Sequence, residues 1–175
     1  AVNKEKFLRN YYLKAKRSIA KARAEGPAAY VLPAEEPRKA QQKALLEMLM
    51  RQGIEVDLLS SDVETADGKF AQGSFVVRMD QPYSRMGDML LDTQYYNVND
   101  PNPYDDTGWS LGALRGVKTI RVMDQAVLKA PMTLISGPVE IQGRVTGSGT
   151  TFLVNHNADN TLISFRYALK DVRML

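Results

Sequence analysis

"AAYVLPAEEPRKAQQKALLEMLMRQGIEVDLL" (Ala28–Leu59) decides the fold class. It opens on a short apolar run that ends at Pro33, the pattern of a buried strand followed by a loop. Pro37 suits the first turn of a helix, and Ala40, Ala44, Leu45, Met48 and Leu49 recur at helical spacing on an inward face. Gly53 is the C-terminal stop. Ile54–Leu59 then alternates apolar with acidic residues, as a strand does. Strand, helix and strand within about 30 residues form a β-α-β unit, which predicts a parallel strand pair with a right-handed crossover.

Upstream, residues 4–24 read as a helix. Phe7, Leu8, Tyr11, Tyr12, Ala15, Ile19 and Ala22 follow a three-to-four spacing, and Gly26 and Pro27 end it. This leading segment, 1–26, carries eight Lys or Arg and two Glu; Lys4, Lys6, Arg9, Lys14, Lys16, Arg17, Lys21 and Arg23 all precede residue 25. The chain as a whole has a formal net charge of +3, so a basic helix sits on a mildly acidic body. Such a helix docks on its own body or on a partner, or simply presents a solvated face. No motif of the nucleic-acid-binding modules accompanies it.

Downstream, the α/β region extends over 27–124. Phe75–Arg78 reads as a strand, Pro82 opens a short helix with Met86, Met89 and Leu90, and 97–109 is a polar loop. A second short helix spans Ser110–Arg115 and leads into a strand at Val117–Met123. Over 125–150 the texture becomes short alternating strands with glycine turns, an antiparallel β pattern in which Val139, Ile141 and Val145 are the apolar positions. The last segment, 151–175, echoes the first unit: an apolar strand at Phe152–Val154, a helix with Leu162, Ile163, Phe165, Ala168 and Leu169, and a strand beginning at Val172. The sequence starts at Ala1 rather than Met and stops within or just after that strand, so it reads as a piece of a longer protein.

At 175 residues the chain is long enough for a sizeable core, and no apolar run approaches the roughly 18 residues of a membrane span. With no cysteine it has no disulfide, thiolate nucleophile or Cys-based zinc site. The G-x-S-x-G elbow is absent, and Gly147–Gly149 lacks the spacing and lysine of a phosphate loop. His156 is the one histidine, placed where a strand gives way to a helix; Asn155, Asn157, Asp159 and Asn160 surround it. It is a candidate ligand-binding residue, against the commoner reading of a loop histidine beside helix caps. "PYDDTGWSLGAL" (Pro103–Leu114) gathers Asp105, Asp106 and the only tryptophan, Trp109, and these three are the other candidates. Paired carboxylates perform acid–base work when their surroundings separate their pKa values. The bland reading is a loop-to-helix junction, with Asp106, Thr107 or Ser110 as cap and with Trp109, Leu111 and Leu114 packed inward. Glu35/Glu36 and Asp57 with Asp62 are weaker acidic pairs.

Three long strings carry a family resemblance: "AAYVLPAEEP" (28–37), "GSFVVRMDQPYSRMGDMLLDTQYY" (73–96) and "PYDDTGWSLGALRGV" (103–117). They resemble the region downstream of the catalytic domain in large bacterial zinc carboxypeptidase-like proteins of the carboxypeptidase A type. "TFLVNHNADNTLISFRYALKD" (151–171) is similar to the start of a class I glutamine amidotransferase-like segment. The resemblance implies a layered α/β sheet with β-α-β units flanked by helices, flavodoxin-like or glutamine amidotransferase-like, plus the small antiparallel section. It implies a non-catalytic accessory domain whose partner is the peptidase domain of its own parent, with no nucleic-acid or membrane partner. It also implies a secreted or periplasmic parent. Zinc is expected in the parent's peptidase domain and not here, because His156 is followed by Asp159 in an H-x-x-D with no second histidine. The competing readings are a ligand-binding α/β module and a stand-alone hydrolase using the Asp105/Asp106 loop.

Overall fold

The computed structural model describes residues 2–93, 98–99, 109–157 and 159–175. In chain order the elements are α1 (Lys4–Ala24), β1 (Ala29–Leu32), α2 (Lys39–Arg51), β2 (Asp57–Leu59), β3 (Val63–Thr65), β4 (Gly68–Phe70), β5 (Phe75–Arg78), α3 (Ser84–Leu91), α4 (Leu111–Arg115), β6 (Ile120–Val122), a 3-10 turn (Gln125–Lys129), β7 (Met132–Leu134) and α5 (Thr161–Ala168). The protein is thus mixed α/β. Gly26 and Gly53 end α1 and α2 with φ of +74° and +79°, the left-handed geometry glycine adopts without strain.

Five strands form one sheet in the order β6-β1-β5-β2-β7, and every pair in it is antiparallel. β1 and β2, joined through α2, both run opposite to β5 and therefore point the same way. The parallel direction expected of the β-α-β unit is present, but the direct pairing is not: β5 is inserted between the two strands. Val76 and Val77 show why β5 takes the centre. Both are fully buried, so this strand is covered on both faces, as an interior position requires. The outer strands β6 and β7 expose Arg121 and Thr133, polar residues that suit open edges.

The sheet separates two cores by the two-residue period of its strands. Tyr30, Leu32 and Val77 face the helices and pack with Ala22 of α1, Leu45, Leu46 and Leu49 of α2, and Leu91 of α3. Ala29, Val31, Val76 and Val122 face the other way and pack with Phe70 of the β3–β4 hairpin and Val127 of the 3-10 turn. The hairpin is locked by reciprocal carboxylates. Asp67 Oδ2 accepts from the Met123 and Asp124 N–H groups at 2.7 and 2.8 Å, and Asp124 Oδ2 accepts from the Ala66 N–H at 2.8 Å.

Two stretches depart from the alternation-based expectation. Residues 135–150 hold no strand; Val139 is buried in the helix-side core, whereas Ile141 and Val145 are exposed. Among the described residues of 151–175 only the helix forms, and α5 buries none of its residues. Alternation marks a face that can be covered, but a strand also needs a neighbouring backbone to pair with. Within 135–150 the Ile135 N–H reaches the Val56 carbonyl at 2.9 Å, but no ladder of such bonds follows it among the described residues, and none forms in 151–175.

Candidate functional site

The most convergent polar group lies where α1 and α3 cross the sheet. Tyr30, 1% exposed, donates from Oη to Asp88 Oδ1 at 2.7 Å, and Lys21 Nζ lies 3.5 Å from Asp88 Oδ2. Arg121, opposite Tyr30 in the β1–β6 register, reaches Asp92 Oδ2 at 3.6 Å. Burial, then the hydrogen bond to Asp88, pushes the Tyr30 phenol well above its ordinary range. It is therefore a fixed donor, not a base or nucleophile. The adjoining cavity, lined by Ser18, Lys21, Ser84 and Asp88 among others, holds about 10 Å³, room for a water and nothing larger.

A second cluster sits at the Arg78 end of β5. Arg78 grips Asp80 through two parallel bonds, Nε to Oδ1 and Nη2 to Oδ2, both 2.9 Å, and Arg23 of α1 approaches Asp80 Oδ2 at 3.4 Å. The Arg78 guanidinium holds the Asp80 carboxyl below the usual carboxylate range. Asp57, across from Val76 and on the same face as Arg78, goes the opposite way: burial raises it despite the nearby guanidinium. Gln81 fastens the adjacent backbone, accepting from the Glu55 N–H at 2.7 Å and donating to the Glu55 carbonyl at 3.0 Å.

Both clusters fasten the C-terminal half of α1 to the body. Ser84 Oγ donates to the Ser18 carbonyl at 3.2 Å and Gln125 Nε2 to the Ala22 carbonyl at 2.6 Å, adding two more ties on the same turns. Ser18 and Ala22 are the buried residues of α1. Phe7, Leu8, Tyr11 and Tyr12, read from sequence as part of an inward face, are exposed, because the body ends beneath the helix's first turns.

Of the residues singled out in sequence, Asp105 and Asp106 lie outside the described residues, as does Thr107. Trp109 is half-buried, and among the described residues its indole N–H has no hydrogen-bond partner. Ser110 does not cap α4 with its side chain; it adopts φ +50° and its Oγ donates to the Asp92 carbonyl at 3.0 Å. Leu111 packs on the helix-side core as expected, but Leu114 is 72% exposed. His156 is exposed on a loop whose carbonyl accepts from the Asp159 N–H, while Asp159 Oδ1 caps α5 by accepting from the Thr161 N–H at 2.9 Å. That loop is anchored through Asn157: its Nδ2 donates to the Pro37 carbonyl at 2.7 Å and its own carbonyl accepts from Arg38 Nε at 2.9 Å. The structure thus brings neither His156 nor Trp109 into the polar clusters.

Glu36, in sequence half of one of the weaker acidic pairs, is a buried acceptor. It is 4% exposed, and its two carboxylate oxygens accept from the Arg38 and Lys118 N–H groups, each at 2.9 Å. The flanking Pro37, which forces a turn, is the only local hint; the second partner lies 82 residues away. The zinc set of a carboxypeptidase does not fit this chain. Its single histidine precludes a two-histidine ligand set, and among the described residues no three His, Cys, Asp or Glu come together to hold a metal ion. Among the described residues no helix is long and apolar enough to cross a membrane. No protein-family model, curated protein or solved structure matches the chain.

Proposed function

We propose that this chain is a non-catalytic accessory domain of a zinc carboxypeptidase-like protein, supporting the peptidase domain of its parent or that domain's hold on substrate. The resemblance of 28–37, 73–96 and 103–117 motivates the reading, and one structural observation supports it: most of the large apolar residues of 151–175 are exposed. Leu153 is 100% exposed, Ile163 72% and Tyr167 82%. Ile163 and Tyr167 lie one turn apart on α5, and exposed apolar side chains grouped on one face mark a surface that meets another one. The finer fold reading belongs to the same proposal. Phe152–Val154 and Val172–Leu175 become strands of a glutamine amidotransferase-like second layer only against that neighbouring surface. In this reading zinc resides in the peptidase domain, in a secreted or periplasmic parent.

The test is a peptidase assay of the parent carrying Ile163→Glu and Tyr167→Glu, beside a parent carrying the exposed-residue control Leu114→Glu. Support by this surface predicts a loss of activity or of peptidase-domain thermal stability in the first and not in the second. Unchanged activity, stability and substrate range in both would sink the reading.

A further inference from the structure

The flank of α1 beside α3 carries charge that the body does not neutralise. An open groove of about 440 Å³ is lined by Asn10, Leu13, Lys14, Arg17 and Arg85, the last from the first turn of α3. Lower on the same helix, Lys21 and Arg23 are matched by Asp88 and Asp80. Lys14, Arg17 and Arg85 take part in none of the ion pairs among the described residues. Three cations from two elements facing one concavity repel each other and favour an anion placed between them. Leu13, half-buried, gives the same groove an apolar component.

We infer that this groove docks an acidic amphipathic segment of a partner protein. Carboxylates on such a segment meet Lys14, Arg17 and Arg85, and an apolar side chain rests on Leu13. Three other occupants fit less well. No aromatic residue lines the groove, so a nucleic acid would gain phosphate contacts but no base stacking. A bilayer needs an apolar stripe beside the cations. The groove itself offers only Leu13, and the exposed Phe7, Leu8, Tyr11 and Tyr12 of α1 are not among the residues that line it. A second copy would set one basic α1 against another. The inference stands apart from the peptidase reading, since the groove shares no residue with 151–175.

The test uses the full chain and a fluorescein-labelled peptide helix of about five turns, with glutamates on one face and leucines on the other. Binding is expected at low salt and weakens as salt rises. Arg17→Glu with Arg85→Glu should weaken it at least about tenfold, and Arg9→Glu with Lys16→Glu, on the other flank of α1, by no more than about twofold. Circular dichroism confirms that both double variants fold. Polyglutamate, which lacks the apolar face, should bind more weakly than the peptide. Failure of the peptide to bind, or equal losses in the two double variants, overturns the inference. So does binding of a single-stranded oligonucleotide or of equimolar phosphatidylcholine–phosphatidylserine vesicles as tight as that of the peptide. Self-association of the chain abolished by Arg17→Glu with Arg85→Glu overturns it as well.

Discussion

The Tyr30 hydroxyl donates to Asp88 Oδ1 at 2.7 Å, joining the second residue of β1 to the middle of α3 across the helix-side core. Lys21 approaches the other oxygen of the same carboxylate, so one side chain holds strand, α3 and α1 in a fixed relation. Tyr30→Phe keeps the ring and removes the donor. A hydrogen bond to a charged group is worth about 1.5–3 kcal/mol, and the variant should lose stability in that range by chemical denaturation. It should also change the alkaline limb. The folded phenol titrates above its unfolded range, so its contribution is complete below about pH 10 and is lost as pH rises further. Tyr30→Phe should flatten that fall; an unchanged alkaline limb would show that the phenol is not held as described.

Asp57 and Asp80 respond to acid in opposite senses. Asp80 is held low by Arg78, so its contribution is present above the unfolded carboxylate range and is lost as pH falls through its lowered folded value. Asp57 is raised chiefly by burial, so it favours the folded state at low pH and loses that contribution as pH rises through its raised value. Asp57→Asn should therefore raise the melting temperature at pH 7 and lose the advantage at pH 3. Asp80→Asn should do the reverse, destabilising at pH 7 and progressively less so as the pH falls below the unfolded carboxylate range. Parallel melts of the two variants at both pH values distinguish them.

Glu36 satisfies two backbone donors from segments far apart in sequence, at the entry to α2 and before β6. Glu36→Ala leaves both N–H groups without an acceptor in a buried place, at a cost of about 1–3 kcal/mol for each. Glu36→Gln retains one acceptor oxygen and should fall between. Equilibrium urea unfolding should rank wild type above Gln and Gln above Ala.

These residues also show what was legible in the chain and what was not. The helix over 4–24 and the strand at Phe75–Arg78 match their elements residue for residue, because each is specified by a local period. The place of β5 between β1 and β2 was not legible. The consecutive apolar residues Val76 and Val77 say that this strand is covered on both faces, but hydrogen-bond partners are chosen across the whole chain. The polar clusters were hidden for the same reason. Tyr30 reads as one apolar residue in a strand, and only the folded chain brings Asp88, 58 residues away, to its hydroxyl. At Glu36 the type of residue misled: adjacent glutamates look solvated until the Lys118 amide closes over one of them.

Gly112 in "WSLGALRGV" marks a close approach rather than a flexible turn. A methyl group there would run into the Thr119 side chain and lie 3.1 Å from the Val117 carbonyl oxygen, in the segment connecting α4 to β6. The Val117 N–H in turn donates to the Gly112 carbonyl at 2.8 Å, so the two backbones cannot part without losing that bond. Gly112→Ala should destabilise by about 1–3 kcal/mol, the usual cost of overpacking. Thr119→Ala on the same chain should recover part of the loss by removing the hydroxyl, the atom the added methyl would meet most closely, while Thr119 Cβ stays. A double-mutant cycle with no coupling between the two sites would contradict the packing.

The uncovered residues of α5 make the sharpest contrast with the core. Leu46→Ala, in a side chain 0% exposed on α2, should cost about 2–5 kcal/mol through lost transfer energy and an unfilled cavity. Ile163→Glu and Tyr167→Glu replace side chains that no neighbour covers, and in the isolated chain should change stability by no more than about 0.5 kcal/mol. The same pair should lower binding of a hydrophobic dye such as ANS, because it removes exposed apolar surface without unfolding anything. If the glutamates instead cost several kcal/mol in the isolated chain, α5 would be packing on the body, and the surface invoked for a neighbouring domain would already be occupied.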